Sequence, residues 1–177
     1  MVTSAALLLR ERGVAGTSVT GVLQHSHGPR GSVGHHFPGG RNELLTDALR
    51  WVGDQVSTQL RQGIDAGLTS AELFQQICLH YQRQLASTGY TAGCPIGAAA
   101  QEAYADDDLG PVVADIIDTW TALLAESLVA HGHEPSEATD LALLCVSTLE
   151  GAITISRVQR SARPIELALN AMHPLLR

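Results

Sequence analysis

Aromatic residues are scarce: two Trp, three Tyr and two Phe make up 4% of 177 residues. Ala and Leu dominate instead, which favours packed helices over a β-sandwich. Charged residues are also few, at 16%, and 45% of the chain is apolar, so it can fill a core and is not disordered. No uninterrupted apolar run approaches the ~18–20 residues of a membrane span. The N-terminus lacks the basic stretch and cleavage site of a secretory signal, so the expectation is a cytoplasmic protein with no membrane partner. The three cysteines (Cys78, Cys94 and Cys145) follow no disulfide or CxxC spacing, and the expectation is small core residues, with no metal and no cofactor. Strand-period alternation is missing, as are internal repeats of 20–50 residues.

The net charge of −7 argues against a polyanion partner until it is divided along the chain. Residues 1–50 hold five Arg against three acids, a balance of +2, together with His25, His27, His35 and His36. Residues 51–177 hold six Arg against fifteen acids, a balance of −9. Only the first segment is suited to approach nucleic acid. This divides the chain into an N-terminal domain over 1–45 and a larger one over 46–177.

Gly and Pro punctuate a series of helical patterns. Residues 2–12 form a helix stopped by Gly13, and Thr17-Ser18 caps a second over Val19–His25. Ser26-His27-Gly28 turns the chain, and Pro29 opens a third helix, to about His36, from the first helical position. A long helix runs from Arg41 to about Gln62, and others occupy roughly 70–87, 95–105, 109–131, 136–160 and 164–176. Over 112–128 the apolar residues fill one arc and Asp115, Asp118 and Glu126 the opposite one. Over 136–160 Leu141, Leu143, Leu144, Cys145, Val146, Leu149, Ile153 and Ile155 lie nearly all round, which demands burial on every side. A second subunit would cover what one chain leaves open, through helices about 136–160 and 164–176.

Two short helices joined by a tight turn, with a preceding helix to pack on, form a helix-turn-helix. Its second helix must be slim where it enters a major groove and must reach bases and phosphates. Pro29-Arg30-Gly31-Ser32 meets both needs: Arg30 offers a fork for guanine, Gly31 permits close approach, and the Ser32 hydroxyl reaches a phosphate. His35 and His36 add donors, and Thr17 and Ser18 sit where the first helix of the pair meets the backbone of the duplex.

The runs Gly13-Val14-Ala15-Gly16-Thr17-Ser18-Val19, Gly28-Pro29-Arg30-Gly31-Ser32-Val33 and His35-His36-Phe37-Pro38-Gly39-Gly40-Arg41-Asn42-Glu43-Leu44-Leu45 resemble the DNA-binding signature of TetR-family regulators. With Gly93-Cys94-Pro95-Ile96-Gly97 and Glu150-Gly151-Ala152, the likeness extends to the LmrA/YxaF-like branch. The resemblance implies an all-α homodimer, with a three-helix DNA-binding domain and a helical domain for ligand and dimerisation. It implies that Arg30 and its neighbours read bases while Thr17, Ser18, Ser32, His36 and Arg41 hold phosphates. A small hydrophobic or amphipathic effector in the C-terminal domain would change the separation of the two recognition helices on a pseudo-palindromic operator. The chain departs from the family at Gly34, where an aromatic residue usually precedes the His-His pair, and at His27, which replaces a frequent Gly.

Other readings are weaker. Gly28–Gly34 mimics a phosphate loop but lacks the preceding strand and the Gly-Lys-Ser/Thr ending. The four N-terminal histidines lack a Cys or carboxylate at matching spacing for a metal. No catalytic constellation sits in 51–177, where His80, His131, His133 and His173 stand without partners at suggestive spacing, so an enzyme is not expected. A helical interaction module with weakened DNA binding is the alternative, motivated by Gly34. For the effector, Tyr81, Gln84, Cys94, Tyr104, Trp120 and Leu149 are the candidates, as the larger or polar groups on inward arcs.

Overall fold

The computed structural model describes residues 1–29 and 31–177. Among them are nine α-helices, one closing 3-10 turn (His173–Leu176) and no strand. The helices are α1 (Val2–Arg12), α2 (Val19–Ser26), α3 (Ser32–His36), α4 (Gly40–Asp65), α5 (Ser70–Ser87), α6 (Pro95–Glu102), α7 (Leu109–Ala130), α8 (Pro135–Gln159) and α9 (Arg163–Met172). The all-helical expectation holds, with most ends within two residues of the sequence reading. The exceptions are informative. Helix α3 opens at Ser32 rather than Pro29, because Pro29 and Ser32 close a turn: the Ser32 N–H donates to the Pro29 carbonyl at 3.0 Å. Helix α4 runs three residues past Gln62, α6 stops at Glu102, before Tyr104, and α9 stops at Met172, with the 3-10 turn taking His173–Leu176.

Two compact units form, and neither is a continuous half of the chain. The first comprises Met1–Gln55 and Cys94–Ile116, the second Val56–Gly93 and Ile117–Arg177. A boundary at 45/46 therefore falls inside α4, where no turn or linker interrupts the helix. Inclusion of 94–116 also brings Glu102 and Asp106–Asp108 into the first unit, so the positive balance belongs to residues 1–50 and not to the unit as a whole.

In the first unit, Ala5, Ala6, Leu8 and Leu9 of α1 are buried together with Val22, Val33, Phe37, Leu44, Leu45, Ala48 and Leu49. Ile96 and Ala99 of α6, then Leu109, Val113 and Ile116, complete this core. Small residues permit the close packing: a Cβ at Gly53 would lie 2.9 Å from the Ile116 side chain. Helix α7 is capped by Asp106, whose Oδ1 accepts from Asp108 N at 3.0 Å and Leu109 N at 2.9 Å. The acidic run is thus partly a cap as well as a solvated loop.

In the second unit, α5 begins with a capping box. Thr69 Oγ1 accepts from the Glu72 N–H, and Glu72 Oε2 accepts from the Thr69 N–H at 2.8 Å. The Thr69 backbone N–H, and after it the Thr69 hydroxyl, hold the Glu72 carboxyl below its ordinary value. Phe74, Cys78, Tyr81 and Leu85 of α5 are buried, as are Ile165, Ala168 and Met172 of α9. The inner side of α8 is mostly small (Ala138, Ala142, Cys145, Ala152, Ser156), which lets it pack closely on α5 and α9. Burial pushes the thiols of Cys78 and Cys145 up to about 12, so both stay protonated and serve as the small core residues expected. On the surface, Arg61 and Glu126 form a bidentate pair at 2.6 and 2.9 Å.

One polar pair crosses this core. Ser70 Oγ and Ser127 Oγ lie 2.9 Å apart, both buried. Replacing one serine leaves the other hydroxyl unsatisfied, at about 1–3 kcal/mol. Ser127→Ala and Ser70→Ala should each destabilise in urea titration, and the double variant should cost clearly less than the two losses added. Additive losses would show that the two hydroxyls are independent.

Candidate nucleic-acid interface

Everything in the presentation of α2 and α3 follows from how residues 13–41 dispose of their polar backbone. Ser18 starts α2 with its Oγ accepting from Gly21 N at 3.1 Å, and His27 ends it in the left-handed region at φ 54°. The chain then turns, and Ser32 Oγ donates to the Pro29 carbonyl at 2.6 Å. Val33 and Phe37 anchor α3 inward, and the Phe37 N–H bonds the Val33 carbonyl at 2.7 Å. His35 and His36 face outward, their rings edge-on with centroids 5.0 Å apart. Gly39 N donates to Glu43 Oε2 at 2.7 Å, which fixes the start of α4.

The residues expected at DNA fall into three groups. Ser18, Pro29, Gly31, His35 and His36 are exposed and Ser32 is half-buried, so all six are presented on the outer side of α2, the turn and α3. Arg30 lies outside the described residues. Thr17 and Arg41 require correction. Thr17 is fully buried, and its hydroxyl donates to the Gly13 carbonyl at 2.7 Å, so it cannot reach a phosphate. Arg41 turns its guanidinium back into the chain: Nε donates to the Thr17 carbonyl at 2.9 Å and a terminal nitrogen to the Val14 carbonyl. It organises the α1–α2 loop from within.

The effector candidates also divide. Tyr81, Trp120 and Leu149 are buried in the second unit, and Gln84 is half-buried there with Nε2 donating to the Gly93 carbonyl at 3.0 Å. Cys94 is buried in the first unit, where it precedes Pro95 at the start of α6. Tyr104 is a correction: it is 84% exposed. It follows the end of α6 in a turn closed by Asp106 N to the Ala103 carbonyl at 3.0 Å, where helical spacing no longer predicts direction. Among the described residues no three His, Cys, Asp or Glu side chains gather as metal ligands. Sequence reading missed Glu102, whose Oε2 accepts from the Ala15 N–H at 2.6 Å. An isolated acid near a helix end carried no signal of a partner 87 residues away.

An outward helix-turn-helix formed by α2 and α3, in a chain that folds into two helical units, defines a DNA-binding regulator. The comparisons agree. Residues 70–171 match the family model described as "Transcriptional regulator LmrA/YxaF-like, C-terminal domain". An HTH-type transcriptional regulator of Mycobacterium tuberculosis is 43% identical over 182 residues, covering 99% of this chain and 92% of the relative. YxaF of Bacillus subtilis, another HTH-type transcriptional regulator, is 28% identical, covering 98% and 92%. Among solved structures, a TetR regulatory protein from Rhodobacter sphaeroides superposes with a TM-score of 0.85 at 21% identity, covering 98% of this chain and 95% of that one. The chain belongs to the TetR family of transcriptional regulators, in its LmrA/YxaF-like group. Its relatives are regulators and not enzymes.

Gly34 sits in α3 with no atom within 4 Å of where a Cβ would be. A side chain there projects into open space, and alanine is the better helix former by about 1 kcal/mol. Gly34→Ala should raise stability by up to about that amount in thermal or urea unfolding. A loss of stability would show that the position is sterically closed.

Proposed function

We propose that this protein is a ligand-responsive repressor that binds a pseudo-palindromic operator as a homodimer and leaves it when a small hydrophobic or amphipathic effector binds. The observation that carries the reading is the outward presentation of Ser18, Ser32, His35 and His36 on α2 and α3, beside a segment of positive balance, in a TetR-family chain. Ser18, Ser32 and His36 would contact phosphates. Arg30, assisted by Pro29, Gly31 and His35, would read bases. Within the second unit, buried Tyr81, Trp120 and Leu149, with half-buried Gln84 supplying a polar group, suit an effector of low polarity. Effector binding would shift the population toward a dimer whose recognition helices no longer fit successive grooves. Such a regulator works in the cytoplasm, beside the duplex.

Dimerisation is supported by the outer side of α8. Leu143, Leu144, Ile155 and Val158 are exposed there, Val158 by 81%, and Leu167 of α9 and Leu175 are exposed as well. Helix α8 is also the one helix among the described residues long and apolar enough for a membrane span by composition, though its inner side packs within the fold. An acidic N-terminal end (Glu134, Glu137, Asp140) and a basic C-terminal end (Arg157, Arg160) make an antiparallel second copy complementary.

Two experiments test this. Duplexes selected from a random pool should bind with an affinity that falls steeply with salt, and Arg30→Ala should cost about 1–3 kcal/mol and relax base preference. Binding indifferent to salt would exclude a phosphate-driven interface. At Gly151, exposed on α8 with open space beside it, Gly151→Glu should convert a dimer to monomers in sedimentation velocity without loss of helicity. An unchanged dimer would place the interface elsewhere.

A further inference from the structure

Residues Gly13–Thr17, in the six-residue link between α1 and α2, hold four helix ends together. The Gly13 N–H bonds the Leu9 carbonyl at 2.9 Å, and Thr17 N bonds the Val14 carbonyl at 3.1 Å. Arg41, at the start of α4, takes the carbonyls of Val14 and Thr17. Glu102, the last residue of α6, takes the Ala15 N–H at 2.6 Å, a charge-assisted bond. Gly13 makes room for it in two ways. Its φ of 71° is open to glycine, and a Cβ at this position would collide with the Glu102 carboxylate.

We infer that Glu102 is a positioning residue for DNA binding: its carboxylate fixes the α1–α2 loop through Ala15 and thereby sets the N-terminus of α2. Only Gly16 and Thr17 separate Ala15 from the Ser18 cap, and the Thr17 and Val14 carbonyls are already held by Arg41, so a displacement of Ala15 has few bonds in which to dissipate before it reaches α2. Cations on the loop carbonyls and an anion on its amide make the clamp polar in both directions. Helix α6 itself lies against α1, with Ile96 and Ala99 buried. A movement of α6 along its axis would pull on Ala15 by way of Glu102.

This inference rests on the DNA-binding reading, and the test separates the two. Duplexes selected from a random pool by the wild-type protein serve as the probe. Glu102→Ala should weaken binding about tenfold and speed amide exchange across residues 14–22, at unchanged dimer mass. Glu102→Gln, whose amide oxygen accepts the same bond, should stay within about twofold of wild type. Glu102→Asp keeps the charge, falls short by one methylene, and should behave like the alanine variant; it supplies the readout if Glu102→Ala does not fold. Gly13→Ala should cost less stability in the Glu102→Ala background than in wild type, because the collision is gone. Wild-type affinity and exchange in Glu102→Ala would overturn the inference and leave DNA binding standing. A wild-type protein that selects no duplex would overturn both.

Discussion

The backbone polar groups of residues 13–17 must be satisfied where four helix ends meet, and the N-terminal unit is arranged around that demand. The loop closes the bond from Thr17 N to the Val14 carbonyl by itself, and side chains take further groups: Thr17 from within, Arg41 from α4 and Glu102 from α6. The Val14 and Thr17 carbonyls are part-buried, and leaving such a group unpaired costs about 1–3 kcal/mol. That cost explains why Arg41, a cation in a DNA-binding head, points into the protein. Outside this network, His35 and His36 face outward on α3.

The second unit solves a different problem. Helix α8 needs close neighbours on one side and offers apolar surface on the other. Its inner residues are small enough for α5 and α9 to approach, while Leu143, Leu144, Ile155 and Val158 remain outside. Exposing a contiguous apolar side is unfavourable in water, and in the proposed dimer a second copy would cover it. In this way the pattern that looks excessive for one chain becomes reasonable for two.

Helix number and order were legible in the sequence because helical periodicity, Gly stops and Pro starts are local signals. Pro95, Pro135 and Pro164 each stand in the first turn of their helices. The capping Ser18 was legible for the same reason. Pro29 misled, because the same residue type also suits a turn, and the Ser32 bonds to its carbonyl decided which. Tyr104 misled because helical phase was carried two residues past the end of α6.

The sequence by itself determined the helical class, the order of the elements and the helix-turn-helix, since these rest on spacing between near neighbours, and its motifs carried the resemblance to the family. Tertiary structure alone decided that Thr17 and Arg41 serve the fold, that residues 94–116 join the first unit, and that Glu102 reaches Ala15. Those outcomes depend on which hydrogen-bond partners come within 3 Å of one another after folding. A separation of 87 residues leaves no periodic trace.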